Sequence, residues 1–149
     1  MANSDAAKIL SIMRTCCPHA YLATIDGNQP RVRPVSAIVE DDMSIWAATF
    51  STSRKVRQLG KNPNVCLAFV ELPDGDRAAV VLGKAVPETS PEQRRRVWKL
   101  APYNLASHFP DGPDSEAYCL LRIMPQQVEW REDWESGNKT FVPDQDRLS

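Results

Sequence analysis

Pro30-Arg31-Val32-Arg33-Pro34-Val35-Ser36 and Thr49-Phe50-Ser51-Thr52-Ser53-Arg54-Lys55-Val56-Arg57-Gln58-Leu59 are the two stretches from which the rest of the chain can be read. The first reads as a strand. Arg31 and Arg33 are two apart and therefore share a face. Pro34 inside it predicts an edge, a bulge, or a place where the ladder is interrupted beside a ligand. That interruption frees Val35 and Ser36 to offer main-chain groups to a planar heterocycle. The second stretch is a loop opening a short helix from Ser53 to about Leu59, closed by Gly60, with Asn62-Pro63 as the stop. The first N–H groups of such a helix are unpaired and its macrodipole end is positive, so it binds phosphate readily. Arg54 offers a bidentate fork and Lys55 a point charge, while Thr49, Ser51 and Thr52 add hydroxyl donors. Cations in a first turn oppose the dipole and cost a few tenths of a kcal/mol unless an anion joins them. The plainer alternative makes Ser53 an ordinary N-cap beside solvated cations. The groups together suit a phosphate monoester carrying something flat.

Working outward, strands and turns alternate. Ser4 or Asp5 caps a first helix running to about Thr15, with Ile9, Leu10 and Met13 on one face, and Pro18 ends it. Residues 20–25 form a strand, Asp26-Gly27 signals a hairpin, and residues 31–40 form the return strand. Further strands are expected at residues 44–48, 64–71, 78–86 and 118–124, with Val128-Glu129-Trp130 as a short extension after Pro125. Ser90-Pro91-Glu92-Gln93 is a capping box with proline at the first helical position; it opens a helix to about Ser107. Hairpin-linked strands without regular crossover helices predict a mainly β, α+β fold, a six-stranded antiparallel sheet or barrel with flanking helices. One domain is expected over residues 1–134, followed over 135–149 by a polar tail, or an arm that orders on a partner subunit.

Composition narrows the function. The chain has 149 residues, 42% apolar and 25% charged, with a formal net charge of -1, so it lacks the basic excess of a nucleic-acid binder. No apolar run is long enough for a membrane helix, and the N-terminus lacks a basic region before an apolar core, so a cytoplasmic protein is expected. The four cysteines, Cys16, Cys17, Cys66 and Cys119, include no Cys-x-x-Cys pair, and His19 and His108 lie far apart, which disfavours zinc. Cys66 and Cys119 sit in apolar runs and read as small buried hydrophobes. Trp46, Trp98, Trp130 and Trp134 read as core or rim, and the two histidines as structural or exposed. No Ser-His-Asp or Cys-His arrangement and no glycine-rich phosphate loop is present.

The ordered set Leu22-Ala23-Thr24, Asp26-Gly27, Pro30 to Val35, Thr49 with Ser53-Arg54-Lys55, Asn62-Pro63-Asn64-Val65, Gly83-Lys84-Ala85 and Pro125-x2-Val128-Glu129-Trp130 resembles the pyridoxamine 5'-phosphate oxidase-like flavoproteins, and most of all their general-stress-protein-26 branch. The resemblance runs from about residue 8 to residue 131. It implies a six-stranded split β-barrel, a homodimer, and FMN in a groove at the dimer interface. By position, Arg33 would meet the flavin and its ribityl phosphate, and Pro34, Val35 and Ser36 would run beside the isoalloxazine. Ala48 and Thr49 would line the ribityl chain and phosphate, and Ser53, Arg54 and Lys55 would hold the phosphate. Trp130, or its neighbour Arg131, would reach the partner subunit's flavin. An oxidoreductase with an open substrate is the implied activity. Three departures argue against oxidation of pyridoxamine phosphate itself: Ile38 replaces a lysine, Ala78 a flavin-touching glutamine, and no histidine follows His108 to form an Arg-x-His grip. The resemblance also leaves a deazaflavin F420 site, a haem site using His19 or His108, and a non-catalytic flavin-binding stress protein as alternatives.

Overall fold

The computed structural model describes residues 2–143. Helix α1 (Ala2–Cys16) leads through a 3-10 turn at Cys17–His19 into strands β1 (Ala20–Asp26), β2 (Gln29–Val35), β3 (Ala37–Val39) and β4 (Ile45–Phe50). Helix α2 (Arg54–Lys61), strands β5 (Asn64–Val70) and β6 (Ala78–Pro87), and helix α3 (Pro91–Leu100) follow. A 3-10 turn at Leu105–Ser107 then leads to β7 (Tyr118–Arg131) and β8 (Lys139–Phe141).

The expected return strand is two strands, and this decides the shape. β2 pairs with β1, β3 pairs with β4, and the sheet order is β2-β1-β5-β6-β7-β4-β3, antiparallel throughout. β2 and β3 therefore occupy opposite edges of the sheet, yet only Ser36 separates them in sequence. A chain that crosses from one edge to the other in one residue forces the sheet to curl until its edges meet. The result is a split β-barrel. Pro34 is tolerated because β2 is an edge.

Other expectations shift by physical cause. β7 runs unbroken through Pro125, because a bulge leaves Gln126 unpaired between the Gly83–Pro125 and Leu82–Gln127 pairs. Gly83 is required there: a Cβ would collide with the Met124 carbonyl oxygen. α1 starts at Ala2, upstream of the expected cap, and α2 continues past Gly60 to Lys61. α3 keeps its cap, the Gln93 amide donating to Ser90 Oγ at 3.3 Å, but stops at Leu100. Pro102 disfavours helical geometry at Ala101, which is extended. The expectation of a loose tail from Glu135 is corrected over residues 139–141, where β8 pairs with Val128–Trp130 of this same chain. Residues 144–149 of that expected tail lie outside the described residues.

Two apolar cores share the sheet. Inside the barrel, Leu22, Leu67, Phe69, Val81, Ile123 and Val128 pack against Ile9, Ile12 and Met13, whose spacing makes one stripe of α1. On the outer side of β3, β4 and β7, Ile38, Trp46 and Leu120 pack against Val97 of α3 and against Leu105 and Phe109. Successive β4 residues thus face different cores: Ala47 points into the barrel, Trp46 and Ala48 outward.

Candidate functional site: a cationic groove at the barrel seam

The end of β4 positions the site. Thr49 follows the inward parity of Ala47, and Phe50 the outward parity of Ala48. The Ser53 amide donates to the Phe50 carbonyl at 3.0 Å, turning the chain into α2. Ser53 is the N-cap residue, but its side chain caps no amide. Its hydroxyl instead accepts from Thr49 Oγ1 at 3.4 Å. Lys55 Nζ donates to the same Thr49 oxygen at 2.8 Å. Uncapped first-turn amides, two hydroxyls and an ammonium thus gather at one point.

Arg33 adds a second cation. It enters the barrel end beneath α2, donating to Thr24 Oγ1 at 2.6 Å, Gln58 Oε1 at 3.0 Å and the Leu22 carbonyl at 3.3 Å. Thr24 and Gln58 are 1% and 5% exposed, and the Thr24 hydroxyl donates to Gln58 Oε1 at 2.6 Å. All of these partners are neutral. Burial lowers the Arg33 pKa, with help from the charge of Arg31. Burial likewise lowers the Lys55 pKa, and the Arg33 charge lowers it further against a small opposing effect of Cys119. Among the described residues, no carboxylate lies within ion-pair reach of Arg33 or Lys55. Two desolvated cations that repel each other and lack an acid form a site short of one anion.

A groove of about 430 Å³ opens beside this cluster, within the range of small-ligand sites. Pro34, Val35 and Ser36 form the wall at the seam, Ala47 to Phe50 the floor, and Lys55 one end. Tyr103, Leu105, His108 and Phe109, from the connection between α3 and β7, form the facing wall. The Tyr103 hydroxyl donates to the Ser36 carbonyl at 3.5 Å, and burial raises its pKa. That wall is braced by α3, which Arg96 ties to the sheet with two 2.8 Å bonds to the Glu40 carboxylate. Trp46 Nε1 donates to Glu40 at 2.7 Å, and these bonds hold the Glu40 carboxyl below its usual pKa.

Of the residues singled out from sequence, Pro34, Val35, Ser36, Ala48, Thr49 and Lys55 line this one groove. Ser53 joins through Thr49. Arg33 stands behind it, and Arg54 is exposed in the first turn of α2, outside the lining. Trp130 is corrected. Its indole is 1% exposed inside the barrel, so it is enclosed by its own subunit and does not reach outward to another. Arg131 is also committed, donating to the Gly75 and Asp76 carbonyls at 2.7 and 3.1 Å beneath the Trp134 ring. The facing wall escaped the sequence reading, which placed residues 103–107 in a helix. The one local signal was Asn104, whose side chain caps the 3-10 turn by accepting from the Ala106 amide at 3.1 Å.

His19 lines a separate cavity of about 180 Å³ with Cys16 and Glu71. All four cysteines are free, and burial raises their thiol pKa values. Among the described residues, no group of three or more His, Cys, Asp or Glu side chains is placed to hold a metal ion, and no helix is long and apolar enough to cross a membrane.

Fold and groove together define a split-barrel protein with an anion-ready cleft at its seam. The family model for pyridoxamine 5'-phosphate oxidase matches residues 10–131, and the chain belongs to that family. Its fold is similar to that of general stress protein 26 from Bacillus anthracis: TM-score 0.75, 21% identity, 92% of this chain and 97% of that one covered. A Clostridium acetobutylicum protein related to general stress protein 26 superposes with TM-score 0.76 at 17% identity, over 95% and 96% of the two chains. A haem-binding protein from Mycobacterium smegmatis shares the fold at TM-score 0.70 and 14% identity, over 96% of this chain and 58% of that one. No curated protein sequence matches the chain.

Proposed function

We propose that the protein is an FMN-binding flavoprotein, an oxidoreductase whose substrate is open. The observation that carries this is the half-buried pair Arg33 and Lys55, cationic and without a carboxylate, with Lys55 lining a groove of small-ligand size and Arg33 behind it. The residues fit the phosphate monoester end of FMN. Lys55, Thr49, Ser53 and the first amides of α2 would hold the phosphate, with the exposed Arg54 at its margin. Arg33 would add charge from behind, at short range and in a low-dielectric setting. Pro34, Val35, Ser36 and Ala48 would flank the remainder of the ligand. The flavin, when bound, carries two-electron chemistry; the chain contributes orientation, exclusion of water and a fixed electrostatic field. True pyridoxamine phosphate oxidation is not proposed, because Ile38 and Ala78 stand where the resemblance expects a lysine and a flavin-touching glutamine.

A homodimer is part of the proposal. Tyr21, Ala68 and Val80 lie side by side across the outer face of β1, β5 and β6, and Ala23, Cys66 and Leu82 form the next row. Val32 continues that row onto β2 and is 68% exposed. This face runs to Pro34 at the groove's rim, so a second copy seated on it would border the groove. Four free thiols fit a reducing, cytoplasmic compartment.

A haem reading has one specific observation behind it. His108 lines the groove while His19 does not, so His108 alone could serve as an axial histidine there. The absorbance spectrum of freshly purified protein, with any chromophore released by heat and weighed, separates the readings. Flavin bands with an FMN mass support the proposal. A Soret band lost on His108→Ala supports haem, and a flavin-free protein that takes up no added FMN removes the flavin.

A further inference from the structure

The wall facing the cations has no role in the phosphate-binding reading, yet it is built with care. Asn104 caps the 3-10 turn with its side chain, and the Ser107 hydroxyl donates back to the Asn104 carbonyl at 2.7 Å. The amides of His108 and Phe109 both donate to the Leu105 carbonyl, at 3.0 and 2.9 Å. Leu105 and Phe109, on either side of this loop, are buried. Phe109 packs against Phe50 at 4.8 Å and Tyr118 at 5.3 Å between ring centroids. His108 is thus held by its backbone between two buried anchors, with its side chain exposed along the groove.

The other polar groups of the lining are engaged. Lys55 bonds Thr49, Thr49 bonds Ser53, the Ser36 hydroxyl donates to the Pro18 carbonyl at 3.3 Å, and Tyr103 bonds Ser36. The ring nitrogens of His108 bond no other described residue. His108 also stands on the opposite side of β4 from Lys55, since its neighbour Phe109 packs on the outward-facing Phe50 while Lys55 bonds the inward-facing Thr49. A ligand fixed at Thr49 and Lys55 that fills the groove must meet this wall.

We propose that His108 is a ligand-contacting, specificity-determining residue of the groove, its imidazole exchanging a hydrogen bond with the non-phosphate part of the bound ligand. The inference rests on the flavin reading above and assigns a residue to the ligand's planar end. An imidazole carries two ring nitrogens able to exchange hydrogen bonds, which suits the polar edge of a heterocycle.

The test compares FMN and riboflavin, which share the ring and differ in the phosphate. Dissociation constants are measured by flavin fluorescence for the unaltered protein and for His108→Ala, His108→Gln and Lys55→Ala. His108→Ala is expected to weaken both ligands by the same factor, roughly 3- to 10-fold for one hydrogen bond, with partial recovery in His108→Gln. Lys55→Ala is expected to weaken FMN alone. His108→Ala leaving both affinities unchanged, or weakening FMN alone, overturns the inference while the flavin reading stands. Failure of the unaltered protein to bind either ligand overturns both. A readout independent of the variants is imidazole NMR, since the chain has only two histidines. Added riboflavin should move the His108 resonances and leave His19 in place; His108 unmoved in flavin-loaded protein contradicts the inference.

Discussion

Two regions of this molecule engage cations, and they do it in opposite ways. Behind α3, Arg96 meets Glu40 through two 2.8 Å bonds, and Trp46 Nε1 donates to the same carboxylate. At the seam, Arg33 and Lys55 have only neutral partners; burial lowers the pKa of both, and the Arg33 charge lowers that of Lys55 further. The first arrangement is complete without a ligand and holds a helix in place. The second leaves a charge deficit that a phosphate dianion would fill. Burying charge without an opposite charge costs stability, so its persistence at a groove points to binding rather than to folding.

The largest expected effect tests the incomplete side. Lys55→Ala should weaken FMN roughly 10- to 100-fold, the worth of one charged hydrogen bond, and leave riboflavin unchanged. Arg54→Ala should matter far less, because Arg54 is exposed and outside the lining. Titration of both ligands against both variants checks the pair; equal losses for FMN and riboflavin would break the contrast.

The complete side makes the next prediction. Glu40→Ala leaves Arg96 and Trp46 without their acceptor and should cost about 1–2 kcal/mol in denaturant unfolding, moderated because Arg96 is half-exposed. The pH dependence has a defined sign. The Glu40 carboxyl is held below its usual pKa, so its contribution is present above about pH 4.3 and is lost as pH falls through the lower folded value. Glu40→Gln should flatten the acid side of the stability profile.

Lys55 gives the opposite sign at high pH. Its pKa is lowered in the free protein, and a phosphate beside it would raise that value. FMN binding therefore takes up a proton as pH approaches the free-protein pKa of Lys55, and affinity should fall as pH rises toward and through that lowered value. Riboflavin affinity should stay flat over the same range. The smallest effect sharpens the comparison most. Lys55→Met removes a half-buried, unmatched charge and should raise the stability of ligand-free protein by about 0.5 kcal/mol, whereas Arg96→Met should lower it.

Much of this contrast was legible in the sequence, and the gaps have physical causes. Strand alternation, Asp26-Gly27 and the Ser90 capping box gave the hairpins and helices because each is a local signal. The polar cluster was legible because Thr49, Ser53 and Lys55 are neighbours along the chain. What stayed hidden depends on long-range pairing. The break at Ser36 that closes the barrel is set by which strands β2 and β3 join, and the bulge that carries β7 through Pro125 depends on Gly83 across the ladder. The groove's facing wall, Tyr103 to Phe109, comes from more than forty positions beyond Lys55. Trp130 was misread because a tryptophan on a strand looks the same whether it turns into the barrel or out to a partner. The bonds that Arg33 makes to Thr24 and Gln58 were hidden because those two residues lie far apart in sequence.

The most direct test of the central claim is a paired titration of the cofactor-stripped protein with FMN and with riboflavin under identical low-salt conditions at pH 7. A site that lacks one anion predicts FMN bound at least roughly tenfold tighter than riboflavin, with the advantage abolished in Lys55→Ala. Equal affinity for the two ligands, or an FMN advantage that survives in Lys55→Ala, would contradict the account.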